Sequence, residues 1–323
     1  MHAFTRAALA ATAAVAFAAP IPAEAQQTRI SITTGGTGGV YYPLGGGMAN
    51  ILSTYVPGMQ ATAEVTGGSV DNLKLIGQGK SEVAFTMVDA AWDGYKGNDK
   101  FKDHAVPART LMVLYPNRMQ VVTIEGSGIN KLADLKGKRV STGSAGSGTE
   151  IMALRVLEAV GIDPKKDLRI ERLGAAESVN AMKDRKIDAF FWVGGVPTPS
   201  VTDLAATPGI KVKLIDHGDA AEALRKKYGP IYVKNQILAN AYPGETRTTT
   251  NIDVWNLLVV PEKADEQLVY QIVKTMFEKK DELVKVHKDA AFLDLANQSS
   301  GASPIAFHPG ALRYFKEKGI TIN

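Results

Sequence analysis

The chain has 323 residues, with 37 Lys and Arg, 33 Asp and Glu, and no cysteine. The 45% share of apolar residues and 22% share of charged residues are ordinary for a globular protein and exclude the fibrous, disordered and disulfide-stapled classes. The net charge of +4 comes from scattered Lys and Arg, whereas a nucleic-acid-binding surface needs clustered ones. We therefore predict no nucleic-acid partner.

The first 25 residues differ from the rest of the chain. Arg6 precedes an apolar run at 7–19, and Ala23 and Ala25 place small residues where a signal peptidase cleaves. The run is shorter than the roughly 20 residues that a membrane-spanning helix needs. We predict a signal peptide at 1–25, cleaved after about Ala25, and a soluble periplasmic protein. The lack of cysteine suits an oxidising compartment and excludes a lipid-modified cysteine anchor.

After this segment, β-rich runs alternate with helical patterns, which predicts an α/β fold with a largely parallel sheet. The first unit has strands at 29–34, 61–65 and 82–85, a helix at 41–55, and a second helix that turns Val70, Leu73, Leu75 and Ile76 inward. The second unit repeats the plan, with strands at 138–142, 168–173 and 188–192, a helix at 149–160 with Leu154 in its core face, and another opening near 177–179. Two matching units predict two lobes.

Two extended segments are the predicted crossings between the lobes. One covers 111–124 and is broken at Pro116-Asn117, and the return crossing falls near 242–257. The tail carries helical patterns at 265–277 and 282–296. We predict lobe 1 as residues 26–117 plus 256–323 and lobe 2 as residues 118–255, joined by a two-crossing hinge with a ligand cleft between them.

Four loops rich in Gly, Ser and Thr connect a strand end to a helix start, at 35–39, 67–69, 143–148 and 174–178. In open α/β sheets ligands bind at such positions. The N-terminus of a helix offers an anion unpaired N–H groups and a partial positive charge. The loops therefore predict an anion-binding cleft.

The nucleotide, hydrolase and metal motifs fail. Gly79-Lys80-Ser81 would end a phosphate loop only with glycine where Lys74 stands, and the G-x-G-x-x-G pattern meets Tyr41 or Ile151 in place of its third glycine. No serine has glycine two positions before and after it, as a nucleophile elbow requires. The histidines are too scattered for zinc. We predict no catalytic residue, no cofactor and no metal.

Residues 34–46, which read TGGTGGVYYPLGG, and residues 68–73 resemble the solute receptors of the TAXI subfamily of tripartite ATP-independent periplasmic (TRAP) transporters. The resemblance continues at 115–117, 132–140, 146–149, 194–197 and 308–311. It implies a bilobed α/β fold like that of periplasmic binding proteins. It also implies a receptor that closes on a small organic acid, such as glutamate, 2-oxoglutarate or a related dicarboxylate, and delivers it to an ion-coupled TRAP membrane permease.

The resemblance to TAXI receptors implies that the ligand contacts of this chain are Thr37, Gly38, Tyr41, Ser69, Asn72, Ser144, Ser147, Gly148 and Thr149. Trp192 ends a strand near the expected cleft mouth, where it either packs in the core or contacts the ligand, and we include it in the set. Backbone amides and hydroxyls at helix starts can hold a carboxylate. Arg118 and Arg172 are the nearest basic candidates for that role.

Two alternatives to a TRAP receptor stay open at this stage. The binding protein of an ATP-driven importer would share the fold and differ only in its permease. An exported enzyme on a binding-protein scaffold would need a general acid or base in the cleft, for which Asp89 and Glu150 are candidates. We expect a monomeric receptor without enzymatic activity, whose partners are an organic acid and TRAP permease subunits.

Overall fold

A computed structural model describes residues 27–322, so the predicted signal peptide lies outside the described residues. Within them, ten strands form one sheet: β1 Thr28–Thr33, β2 Met59–Glu64, β3 Val83–Met87, β4 Ala108–Ile124, β5 Arg139–Ser141, β6 Arg169–Glu171, β7 Ala189–Gly194, β8 Val212–Leu214, β9 Val233–Ile237 and β10 Thr249–Pro261. The α-helices of this range are α1 Tyr41–Tyr55, α2 Ser69–Gly77, α3 Val88–Lys96, α4 Gly148–Ala159, α5 Pro164–Asp167, α6 Ala175–Lys183, α7 Pro199–Ala205, α8 Ala221–Tyr228, α9 Glu266–Glu278, α10 Lys280–Val286 and α11 Pro309–Glu317.

The strand order is β2-β1-β3-β10-β4-β7-β5-β6, with β8 beside β4 and β9 beside β10. Strands β1, β2 and β3 are parallel and form what we call the first half-sheet. Strands β5, β6 and β7 are also parallel and form the second half-sheet. In both, the strand that comes first in the chain lies in the middle. This shared order confirms that the chain repeats one β-α-β-α-β plan.

The centre of the sheet is antiparallel, which corrects the expectation of a largely parallel sheet. Strand β10 runs antiparallel to β3, β4 and β9, and β4 runs antiparallel to β7 and β8. With 17 and 13 residues, β4 and β10 are the longest strands described, and they connect the half-sheets. The predicted lobe boundaries, after Asn117 and after Trp255, fall inside these two strands, and the division into lobes stays a prediction.

The expected break at Pro116-Asn117 is absent, because β4 runs without interruption from Ala108 to Ile124. Pro116 lies opposite Trp255 of β10, and the register shifts immediately beyond this pair. Proline has no N–H to donate to a neighbouring strand, and sheets tolerate this loss at bulges. The bulge therefore accommodates Pro116 inside a continuous strand.

The expected helix at 282–296 is wrong beyond Val286. Helix α10 ends there, His287 has an extended backbone with φ of −153°, and short 3₁₀ segments at 288–292 and 295–297 follow. The Nδ1 atom of His287 accepts a hydrogen bond from the N–H of Asp289 at 3.2 Å. Its Nε2 atom lies 2.9 Å from the carbonyl oxygen of Pro197. These bonds turn the segment toward the second half-sheet.

The buried faces of the helices largely follow the predicted periodicity. In α2, Val70, Leu73 and Ile76 are buried, and a spacing of three places them on one face. Leu75 and Leu154, which were also expected to point inward, are only half-buried. They lie at the edges of their apolar faces.

A buried ion cluster joins α3 to α4. Arg155 of α4 forms an ion pair with Asp93 of α3, and its Nη1 atom donates to the hydroxyl of Tyr232 at 2.9 Å. That hydroxyl donates to the carboxylate of Asp89 at 3.0 Å. Asp89 is fully buried, while Asp93 and Arg155 are 5% and 7% exposed. Both carboxylates therefore depend on one guanidinium for their compensating charge.

Replacing Arg155 with Met should lower the free energy of unfolding by about 3–5 kcal/mol, because it leaves buried carboxylates without a cation. Urea unfolding followed by circular dichroism measures this loss. The matched control is Arg139→Met, which breaks the partly exposed ion pair between Arg139 and Asp188. It should cost about 1 kcal/mol or less. Equal losses in the two variants would show that burial does not set the strength of the cluster.

Candidate ligand-binding cleft

A cavity of about 50 Å³ lies between the two half-sheets, at the carboxyl ends of their parallel strands. Its first wall consists of Gly35, Gly36, Gly39, Val40, Tyr41, Gly67, Gly68, Ser69 and Met87, and Tyr115 comes from β4. Its second wall consists of Ser144, Ser147, Gly148, Thr149, Gly174, Ala175, Trp192, Val193 and Gly194. All four predicted loops contribute. This is the edge of an open α/β sheet at which ligands bind.

Four helices begin at the cavity, with Tyr41 of α1, Ser69 of α2, Gly148 of α4 and Ala175 of α6 among its lining residues. The first N–H groups of a helix have no acceptor within the helix, and its N-terminus carries a partial positive charge. None of the described lining residues has a charged side chain. The positive field in the cavity therefore comes from the helix ends, which suits a small anion.

Three hydroxyl groups in the lining each accept a hydrogen bond from a backbone N–H. Ser69 accepts from Met87 at 3.1 Å, Thr149 from Val193 at 3.3 Å, and Ser147 from Glu150 at 3.0 Å. A hydroxyl has one proton to donate besides its acceptor lone pairs. Each of the three is thus held in place by the backbone and keeps its proton for another acceptor.

The two walls touch at the rim of the cavity, so the structure has a closed arrangement. The bonds across the rim are Ser144 Oγ to the carbonyl oxygen of Gly67 at 3.0 Å, the N–H of Val70 to the carbonyl oxygen of Gly146 at 3.0 Å, and Ser200 Oγ to the carbonyl oxygen of Gly38 at 2.7 Å. The N–H groups of Asp71 and Ser200 also donate across the rim, to the carbonyl oxygens of Gly146 and Gly38, each at 3.2 Å. All five are neutral hydrogen bonds to backbone carbonyls.

Glycine allows the walls to approach each other closely. A Cβ atom on Gly39 would lie 2.8 Å from the ring of Trp192 on the opposite wall. A Cβ atom on Gly148 would lie 2.5 Å from the sulfur of Met87, again on the opposite wall. Both distances are shorter than real Cβ contacts, so a side chain at either position forces a neighbouring group to shift.

Tyr41 is tied to the strands that connect the half-sheets. Its hydroxyl donates to Oδ1 of Asn256 on β10 and accepts from Nδ2 of Asn117 on β4, the latter at 3.3 Å. Its ring lies 4.9 Å from the ring of Phe85, centroid to centroid. Burial raises the pKa of Tyr41, so its hydroxyl stays neutral. The start of α1 is therefore fixed to β4 and β10.

Seven of the ten predicted contact residues line the cavity: Tyr41, Ser69, Ser144, Ser147, Gly148, Thr149 and Trp192. Thr37 is exposed on the first loop, and the carbonyl of Gly38 is engaged by Ser200 at the rim. Asn72 is buried, and its amide donates to the carbonyl oxygens of Thr34 and Phe85 at 2.6 and 2.8 Å. It ties β1 to β3. Ligand contact by any of the ten stays a prediction.

The charged candidates named from the sequence lie off the cavity lining. Asp89 belongs to the ion cluster with Arg155. Glu150 pairs with Arg172 at 2.8 Å. Arg118 lies 3.5 Å from the carboxylate of Asp289, which is buried.

Sequence reasoning missed Met87 and Tyr115 among the lining residues. Met87 ends an apolar strand, and Tyr115 ends the apolar run 111–115, so both have the pattern of core residues. The one signal for Tyr115 was its place in the 115–117 segment of the family resemblance, which gave it no role.

No helix within residues 27–322 combines the length and the apolar character that a bilayer-spanning segment requires.

The model of the NMT1-like family matches residues 32–319 of the chain. Several solved structures share its fold. A putative L-cystine ABC transporter from Listeria monocytogenes is 18% identical over 81% of this chain and 94% of that chain, with a TM-score of 0.50. The binding protein component of an ABC phosphonate transporter from Pseudomonas aeruginosa is 12% identical over 81% and 79%, with a TM-score of 0.51. A protein of Bordetella bronchiseptica RB50 is 18% identical over 90% and 89%, with a TM-score of 0.52.

Replacing Gly39 with Ala should hold the walls apart, because its methyl group would meet the ring of Trp192. We expect a larger radius of gyration in small-angle X-ray scattering, and a loss of stability of about 1–3 kcal/mol, as for overpacking in general. The control is Gly46→Ala, on the exposed side of α1, where a Cβ atom meets nothing within 4 Å. It should leave the radius unchanged and stabilise the helix by roughly 0.5–1 kcal/mol. Identical scattering from both variants would contradict the close approach at Gly39.

Proposed function

The chain belongs to the NMT1-like family, and on that premise we propose that it is an extracytoplasmic solute receptor for a small organic anion. The observation that carries the proposal is the convergence of four helix N-termini on one cavity whose described lining is uncharged. A carboxylate accepts hydrogen bonds from backbone N–H groups and hydroxyls without a cationic partner. Removal of water from the cavity strengthens these bonds.

The ligand binds by bridging the two walls. The first wall offers the N–H groups at the start of α1 and that of Ser69, since the N–H groups of Val70 and Asp71 already bond to Gly146. The second wall offers N–H groups at the starts of α4 and α6. Ser69 donates its free proton from the first wall, and Ser147 and Thr149 donate theirs from the second. Because these contacts exist together only when the walls meet, the ligand favours the closed state over an open one. The β4–β10 pair is the hinge between the predicted lobes.

We assign the ligand to the small carboxylic acids, such as glutamate, 2-oxoglutarate or a related dicarboxylate, and the partner to a TRAP permease. The TGGTGGVYYPLGG segment and its resemblance to TAXI receptors support both assignments. The Listeria protein is a putative L-cystine ABC transporter and the Pseudomonas protein a component of an ABC phosphonate transporter, which favours an ATP-driven importer as the second candidate for the partner. The fold is the same in either case.

The first test is a thermal-shift screen of the chain lacking residues 1–25, after unfolding and refolding to remove carried-over ligand. A ligand at about 100 times its Kd stabilises the folded state by roughly 2.7 kcal/mol, which raises the midpoint by several degrees. We expect at least one hit among L-glutamate, 2-oxoglutarate, succinate and glutarate, and none among their diamides. No shift with any of the acids would overturn the proposal.

The matched variants for this screen are Thr149→Val and Thr202→Val. The first removes a lining hydroxyl with little change of shape, and it should weaken binding of the hit about 10-fold or more. The second removes a hydroxyl on α7 that bonds the carbonyl oxygen of Thr198 at 3.1 Å, away from the cavity lining. It should leave the affinity unchanged. Equal affinities of the two variants would remove Thr149 from the site.

The permease assignment is tested with proteoliposomes that contain a TRAP permease encoded beside the receptor. We expect uptake of the radiolabelled hit to require both the receptor and an inward sodium gradient, and to proceed without ATP. Uptake that instead needs an ABC permease and ATP would transfer the receptor to the second candidate class. The control is the Gly39→Ala variant, in which the walls should not close and uptake should fall.

A further inference from the structure

The hydroxyl of Tyr115 is an unpaired polar group at the cavity. Tyr115 lies on β4, is 1% exposed and lines the cavity between the half-sheets. Its hydroxyl oxygen has no hydrogen-bond partner among the described residues. Buried polar groups in folded proteins are nearly always paired, and an unpaired hydroxyl lowers the stability of the fold. Seven other buried side-chain atoms of the described residues are also unpaired, but none of them belongs to a residue that lines this cavity.

Two other buried tyrosines have hydrogen-bond partners for their hydroxyls. Tyr232 bonds to Arg155 and Asp89. Tyr242 donates to Gln120 at 2.6 Å and accepts from the N–H of Thr198 at 3.0 Å. The fold therefore pairs buried phenols elsewhere, and the unpaired one is at the cavity wall.

Tyr115 lies between two cavities, of which the one described above contains the polar lining groups. Tyr115 also borders a separate apolar cavity of about 10 Å³, lined by residues such as Leu44 and Met48. The described residues that line this apolar cavity offer the hydroxyl no hydrogen-bond acceptor. Tyr41 is a lining residue of the larger cavity and is not part of the apolar one. A polar partner for the hydroxyl of Tyr115 can therefore come only from the larger cavity.

We propose that Tyr115 determines ligand specificity by donating a hydrogen bond to an acceptor oxygen of the bound organic acid. This inference rests on the proposed function and adds the requirement that the ligand supplies an acceptor for the hydroxyl of Tyr115. Water satisfies the hydroxyl in an open cleft, and the ligand must satisfy it after closure. A site with a buried donor rejects a ligand that places hydrocarbon there, because the donor is then left unpaired. The ligand therefore carries an oxo, hydroxyl or second carboxyl oxygen at this point.

The test compares Tyr115→Phe with wild type by isothermal titration calorimetry. The probes are 2-oxoglutarate, glutarate and butyrate, a series that loses first the oxo oxygen and then one carboxylate. Wild type should bind neighbouring probes of this series with different Kd values. In Tyr115→Phe, the Kd of the tightest probe should rise about 10-fold or more. For one pair of neighbouring probes, either 2-oxoglutarate and glutarate or glutarate and butyrate, the ratio of the two Kd values should be smaller in Tyr115→Phe than in wild type by a similar factor.

Stability without ligand separates this role from a structural one, with Tyr242→Phe as the matched control. Tyr115→Phe should unfold in urea at the wild-type midpoint or above it, because no protein hydrogen bond is lost. Tyr242→Phe should unfold at lower urea, since it leaves Gln120 and the N–H of Thr198 without their partner. It should keep the wild-type discrimination among the probes.

The outcomes distinguish the two proposals. Wild-type binding with an unchanged Kd and unchanged ratios in Tyr115→Phe overturns the role of Tyr115 and leaves the receptor function standing. A drop in ligand-free stability of Tyr115→Phe equal to that of Tyr242→Phe also overturns it, because the hydroxyl then has a structural partner. Wild type that binds none of the three probes, and none of the acids in the thermal-shift screen, overturns the receptor function and this inference with it.

Discussion

The antiparallel pairing of β4 with β10 is the constraint on which the rest of the structure depends. These strands form the centre of the sheet and leave a parallel half-sheet on each side. Because both half-sheets repeat one β-α-β-α-β plan, their carboxyl ends meet over the central pair. Four helix starts and four glycine-rich loops then surround one cavity. Tyr115 and Asn117 of β4 and Asn256 of β10 lie at its base or directly beneath it. The β4–β10 pair therefore both connects the two half-sheets and forms the base of the cavity.

No charged side chain is among the described lining residues of the cavity. Arg155 pairs with Asp93 and Arg172 with Glu150 away from the lining, while the carboxylate of Asp71 lies beside Gly67 and Gly146 at the rim. An unpaired cation in the wall would bind any anion strongly and with little regard to shape. Backbone N–H groups and fixed hydroxyls bind a carboxylate in a defined geometry. On the proposed function, this arrangement favours selectivity over raw electrostatic attraction.

The sequence predicts those parts of the fold that depend on local pattern. Helix α1 begins and ends where its periodicity indicates, and the four glycine-rich loops reach the cavity as the repeated units imply. The misses depend on partners distant in the chain. Pro116 stays inside a strand because β10 supplies a bulge opposite it, and the helix after Val286 stops because His287 bonds to Pro197, 90 residues away. Tyr115 was missed because an aromatic residue in an apolar run does not reveal an unpaired hydroxyl.

The hydrogen bonds at the rim of the cavity are individually weak. The closing bonds at Gly38, Gly67 and Gly146 are neutral hydrogen bonds to backbone carbonyls, and water replaces such bonds at small net cost. Closure without ligand would also leave the hydroxyl of Tyr115 unpaired. A ligand that satisfies this hydroxyl and the helix N–H groups removes the penalty and adds contacts that exist only in the closed state. The rim itself therefore contributes little to closure, whereas the ligand and the buried cluster of Arg155 with Asp89 and Asp93, which joins α3 of predicted lobe 1 to α4 of predicted lobe 2, favour the closed state.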